Sequence, residues 1–127
     1  MKRRTLVVGN WKMHGSRSVN AGLLAGILDS RPFACDVAVC PPFPYLAQCA
    51  KLIKDHSLAF LSLGAQDASA QASGAYTGEA SAAMLKEVGC QYVIVGHSER
   101  RQLHHEVDEV VAAKALQVLD NGMTQGN

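Results

Sequence analysis

Lys12, His97 and Glu99, with Asn10 and Ser98 beside them, are the side chains whose types and positions could do chemistry together. Each comes just after an apolar run that reads as a strand. Asn10 and Lys12 follow Leu6-Val7-Val8, Gln66 and Asp67 follow the run ending at Leu63, and His97, Ser98 and Glu99 follow Tyr92-Val93-Ile94-Val95. A lysine that points into a walled cavity supplies a fixed positive charge for a phosphate or a developing oxyanion; on composition alone it reads equally as a surface lysine. His97 precedes a helix start, with Ser98 as the expected cap and Glu99 in the first turn. The partial positive charge of a helix N-terminus disfavours the imidazolium, leaving a neutral ring able to donate a hydrogen bond to a carbonyl oxygen. The alternative is a structural or exposed histidine. His104-His105-Glu106 with Asp108 offers ligand types for a metal, but neighbouring helical residues point about 100° apart and no second cluster completes a site, so no metal is expected.

The elements that must position these residues recur in order. Strand-like runs cover Thr5 to Val8, Val37 to Cys40, Leu58 to Leu63 and Tyr92 to Val95, continuous rather than alternating, as in a parallel sheet buried on both faces. Helical stretches lie between and after them: Ser18 to Asp29, Tyr45 to Lys54 behind Pro41-Pro42, Glu79 to Val88 ending at Gly89, Ser98 to His104, and Val107 to Leu119 stopped by Asn121-Gly122. In the last of these an apolar stripe is read as mixed with exposed charge at Lys114, and Met84 and Leu85 are read as core, with no cofactor implied. The repeat of about 30 residues is the size of a β-α-β unit, and four units account for the chain, residues 1–127 being a single partial domain. Alternating units fit either a doubly wound sheet or a closed barrel. Gly9-Asn10-Trp11-Lys12 stands where a dinucleotide-binding fold would carry Gly-x-Gly-x-x-Gly, which counts against that fold.

With 48% hydrophobic and 18% charged residues the chain has the composition of a globular domain, and its net charge of +1 provides no field for nucleic acid or an anionic membrane. The apolar stretch behind Met1-Lys2-Arg3-Arg4 is too short for an export signal, and no apolar run approaches the roughly 18 residues of a membrane span. A cytoplasmic location is therefore expected. Cys35, Cys40, Cys49 and Cys90 lack Cys-x-x-Cys spacing and read as unpaired, mostly buried thiols.

Three blocks in order, Gly9-Asn10-Trp11-Lys12-Met13, Gly74-Ala75-Tyr76-Thr77-Gly78-Glu79 and Tyr92 through Val95-Gly96-His97-Ser98-Glu99-Arg100-Arg101, resemble the triosephosphate isomerase family. Pro41-Pro42-Phe43 and Gly64-Ala65-Gln66-Asp67 are similar to it too, so that the resemblance runs from about Leu6 to Thr124. It implies an α/β fold, the N-terminal half of a (β/α)8 barrel, and an aldose-ketose isomerase of glycolysis and gluconeogenesis. That enzyme interconverts dihydroxyacetone phosphate and glyceraldehyde 3-phosphate through an enediolate, without a cofactor. On this resemblance His97 is the neutral electrophile, Lys12 the cation that binds substrate and stabilises the enediolate, and Asn10 a polar contact in the same pocket. A histidine kept neutral by a helix is also what the resemblance implies, so the two readings of His97 are not independent. Ser98 and Glu99 become supporting residues, Glu99 otherwise being an ordinary first-turn charge. By the same resemblance Thr77 is expected to reach into a neighbouring subunit of a homodimer.

A closed barrel of this kind has eight units in about 250 residues. By resemblance the other half would carry the catalytic glutamate, the mobile lid and the glycine-rich phosphate donors. Glu79, Glu87, Glu99, Glu106 and Glu109 do not match the motif of that base. After Asn121-Gly122 the tail to Asn127 lacks the apolar run of a fifth strand, so the chain reads as a truncated form with strands one and four as open edges. Two partners follow for the uncovered face: a second copy, or a complementary C-terminal half-barrel. The alternative function is a non-catalytic, self-associating half-barrel scaffold.

Overall fold

The computed structural model describes residues 5–30, 35–56 and 60–126. Along the chain run β1 (Leu6–Asn10), α1 (Arg17–Asp29), β2 (Asp36–Cys40), a 3-10 turn (Phe43–Tyr45), α2 (Leu46–Asp55), β3 (Leu61–Ala65), α3 (Ala82–Val88), β4 (Cys90–Ile94), α4 (Ser98–Leu103), α5 (Asp108–Asp120) and β5 (Thr124–Gly126). The strands form one parallel sheet in the order β1-β2-β3-β4-β5. An order that never reverses has no switch point between two halves of a doubly wound sheet; it is the wall of a barrel, half complete.

The fifth strand corrects the expectation of a strandless tail. Tyr92, Val93 and Ile94 of β4 pair with Thr124, Gln125 and Gly126 through main-chain groups, which need no apolar side chains. The sheet edges are therefore β1 and β5, not β1 and β4. Of the strand read from Leu58, Leu58 and Ala59 lie outside the described residues, as does Asn127 of the tail. The third helix starts later than Glu79 because Ser81 caps it, its Oγ accepting from the Met84 amide at 3.2 Å. Gly89, in the left-handed region at φ 116°, ends it.

One face of the sheet carries the core. Leu24 of α1, Leu46 and Cys49 of α2, Ala82 and Leu85 of α3 and Val118 of α5 pack on Val39, Leu61, Leu63, Ala65, Val93 and Val95. Two expectations about the helices fail here. Met84 is exposed, and in α5 the charge and the apolar residue trade places, Lys114 being 6% exposed and Leu116 60%. The edge strand β1 also departs from burial on both faces, with Leu6, Val7 and Val8 between 38% and 51% exposed, because no strand pairs with its outer edge.

On the other face small residues alternate. Gly64 sits between Cys40 of β2 and Tyr92 of β4, and a Cβ there would lie 2.5 Å from Cys40 Sγ and 3.3 Å from the Tyr92 carbonyl oxygen. Gly64→Ala is therefore expected to cost about 1–3 kcal/mol by overpacking, read as a lowered thermal midpoint, and Cys40→Ala in the same chain should return part of it. An unchanged midpoint would show that the strands can part without cost. Burial pushes the Cys40 and Cys90 thiols up to about 12, each being shielded from water, and Cys49 up to about 11. They stay protonated and act as small apolar fillers.

Candidate active site

The residues singled out for chemistry gather at the C-terminal ends of the strands. Lys12 follows β1 in the left-handed region at φ 54°, a conformation that costs a non-glycine residue on the order of 1 kcal/mol. Two side chains hold it there. The Lys12 amide donates to Asn10 Oδ1 at 2.9 Å, and the Lys12 carbonyl accepts from Gln66 Nε2 at 2.7 Å. Gln66 also donates to the Cys40 carbonyl at 2.8 Å, so the residue after β3 ties together the ends of β1 and β2. The outcome is that Lys12 Nζ stands 2.7 Å from Glu99 Oε1, both side chains about half exposed. The hydrogen bond from Lys12 holds the Glu99 carboxyl below the usual range.

His97 caps α4 itself, which corrects the assignment of Ser98. Its Nδ1 accepts from the Glu99 amide at 3.1 Å, and Ser98 is the first helical residue. With Nδ1 accepting, Nε2 is the ring nitrogen left to donate. Glu99 Oε2 lies 3.6 Å from the same Nδ1, so lysine, glutamate and histidine form one cluster. Asn10, Lys12, Gln66, His97 and Glu99 line a cleft of about 360 Å³ whose rim includes Met13, Phe43 and Leu103. The arrangement brings a lysine ammonium and an imidazole N–H to one small cleft, groups that can meet a negatively charged ligand. Among the described residues no three His, Cys, Asp or Glu side chains are grouped to hold a metal, and no helix is long and apolar enough to cross a membrane.

The triosephosphate isomerase family model matches residues 5–125. The chain belongs to that family. It is 65% identical to a triosephosphate isomerase of Polynucleobacter necessarius and 62% identical to one of Polynucleobacter asymbioticus, each alignment taking in 96% of this chain and 50% of the relative. A triosephosphate isomerase of Cupriavidus pinatubonensis is 57% identical, over 95% of this chain and 48% of its own length. The chain spans about half the length of the curated relatives it matches.

Reaching from the wall of the cleft in this triosephosphate isomerase family member is a charged group that the sequence reading missed. Lys114 Nζ donates to Asp67 Oδ1 at 2.8 Å and to Glu106 Oε2 at 2.6 Å, and Arg100 Nε reaches the same Glu106 oxygen at 2.6 Å and Asp67 Oδ2 at 3.2 Å. The Lys114 and Glu106 side chains are 7% and 6% exposed. Burial would raise the Glu106 carboxyl, but hydrogen bonds from Lys114 and Arg100 outweigh it and hold it below its ordinary value. The two cations balance the two anions, and the group joins the end of β3, α4 and α5. Glu106 thus anchors the group through Lys114 and Arg100, and Asp108 pairs with Arg101 at 2.7 Å. The available signal was Lys114 itself, a lysine in register with Val110, Val111 and Val118 on a face read as apolar, where a charge requires a buried partner. Thr77 is exposed in the loop after β3, away from the contacts around Lys12, next to Gly78 at φ 90°.

Proposed function

We propose that the chain supplies the cation and the electrophile of a triosephosphate isomerase site, acting on dihydroxyacetone phosphate and glyceraldehyde 3-phosphate. The observation that carries this reading is the convergence of Lys12, Glu99 and His97 at the strand ends, with the Lys12 Nζ to Glu99 Oε1 distance at 2.7 Å. Isomerisation moves a proton between adjacent carbons and builds negative charge on the two oxygens of an enediolate. His97 Nε2–H stabilises that charge by donating to the oxygens, and Lys12 neutralises substrate charge, both without reorganising water at the moment of reaction. Asn10 contacts the substrate pocket while fixing the Lys12 amide. Glu99 and Ser98 support them from the first turn of α4. No cofactor takes part.

The base that removes the proton belongs to a complementary half-barrel in this reading, since Glu99 is committed to Lys12 and Glu106 to Lys114 and Arg100. The same half covers the exposed Leu6, Val7 and Val8. A coupled assay of glyceraldehyde 3-phosphate isomerisation tests this, on the pure chain and on the chain mixed with the complementary half of a relative. Activity restored by mixing and absent from either half supports the proposal; a pure chain as active as a complete enzyme would overturn the assignment of the base. Failure of every mixture while a stable complex forms would favour the second reading, a self-associating scaffold, to which the exposed face of β1 also speaks.

Met13 on the rim of the cleft, 93% exposed, and Tyr76 in the loop carrying Thr77, 43% exposed, offer apolar surface to a second copy. We assign the loop carrying Thr77 to that homodimer contact, in a cytoplasmic enzyme. Thr77→Ala should weaken dimerisation by roughly tenfold, about the worth of one lost interfacial hydrogen bond, in light scattering across a dilution series. An unchanged dissociation constant would remove Thr77 from the interface.

A further inference from the structure

The loop from Trp11 to Ser16 leaves β1 carrying Lys12 and returns to α1. Its outgoing leg is held by Asn10 and Gln66; its return leg is held by a different set of side chains. Asn20 of α1 is 0% exposed, and its Nδ2 donates to Gln48 Oε1 of α2 at 3.1 Å. Gln48 Nε2 in turn donates to the Arg17 carbonyl at 2.8 Å, which settles the orientation of both amides. The Tyr45 hydroxyl reaches the Gly15 carbonyl at 3.4 Å. Asn20 Oδ1 is buried with no hydrogen-bond partner among the described residues and lies against Gly15, where a Cβ would meet it at 2.7 Å.

A leucine at position 20 would fill the α1 and α2 interface with no orphaned oxygen, so apolar packing alone does not account for this amide. Through Gln48 it bears on Arg17, and through its own oxygen on Gly15. Lys12 needs such support because its left-handed backbone persists only where the chain on both sides dictates it. Freed on one side, Lys12 can return to the right-handed region and swing its ammonium away from Glu99.

The geometry points to Asn20 and Gln48, with Tyr45, as positioning residues for Lys12, acting from the far side of the loop. This rests on Lys12 as the substrate-binding cation of the proposed site. The test reads Lys12 without any turnover: a carbon-detected NMR titration of the Glu99 carboxyl in the 127-residue chain, in Asn20→Leu, in Gln48→Ala, and in Lys12→Met as reference. Asn20→Leu and Gln48→Ala are both expected to move the Glu99 midpoint upward toward the ordinary glutamate value of about 4.3, in the direction set by Lys12→Met. A role confined to packing shifts thermal stability and leaves that midpoint in place. Should Asn20→Leu fail to fold, Gln48→Ala decides, since Gln48 is only half-buried and spans the same two helices. A folded Gln48→Ala chain with the parental Glu99 midpoint would overturn the proposal. Because the readout involves no isomerisation, an inactive reconstituted barrel would count against the proposed function and leave this inference standing.

Discussion

Lys114→Met should destabilise the chain by about 3–5 kcal/mol, the usual penalty for removing one partner of a buried ion pair. That is a large share of the 5–15 kcal/mol that holds an ordinary domain together. Methionine nearly matches lysine in volume, so the loss is electrical: Glu106 keeps its charge with Arg100 alone, and Asp67 loses its 2.8 Å contact. Two companion measurements separate this cause from poor packing. Lys114→Met combined with Glu106→Leu removes one cation and one anion, leaves Arg100 to Asp67, and should recover much of the loss. Acid should shrink the penalty as well. Glu106 has a depressed carboxyl in the folded parent, so its contribution is complete above the unfolded value of about 4.3 and is lost as pH falls through the folded value. In the Lys114→Met chain the stranded carboxylate instead gains by taking up a proton, and the gap between parent and variant narrows below about pH 5. A gap independent of pH, by chemical denaturation, would place the loss in packing.

His97→Gln is expected to lower the rate of isomerisation by about 10²–10⁴ in the reconstituted barrel, the range for losing a positioned catalytic proton donor. On the proposed roles the fall should appear in kcat, with KM little changed, since the ring would donate most strongly to charge that exists in the transition state while Lys12 retains the substrate. Lys12→Met should show the other pattern, with KM raised as well. Helix α4 loses its cap when His97 is replaced, so circular dichroism must accompany the kinetics. A folded His97→Gln barrel with the parental rate would remove the histidine from the mechanism.

Much of the fold and of the site was legible in order. The strands announce themselves because parallel strands buried by helices need runs such as Val37 to Cys40, and the polar residues that interrupt each run mark the strand ends where a barrel keeps its chemistry. What escaped has a common physical origin, contacts between residues far apart in sequence. Gln66 was visible as a polar residue after β3, but its grip on the Lys12 and Cys40 carbonyls depends on the sheet bringing three strand ends together. The same holds for Lys114, whose partner Asp67 is 47 positions away. Strand β5 escaped for a different reason: Thr124 to Gly126 pairs through its main chain and presents no apolar pattern. The cap of α4 was misplaced by one residue because serine is the common capping residue, whereas an imidazole nitrogen does the same work here.

The unbroken strand order bears on how the molecule is made. Every strand after β1 pairs with the one synthesised just before it, about 30 residues separating one strand start from the next. A nascent chain leaving the ribosome therefore finds its docking edge already exposed by the preceding unit, and the sheet can grow in the direction of translation with short loop closures. Only the outer edge of β1 is left behind, since each later strand adds on the side away from it.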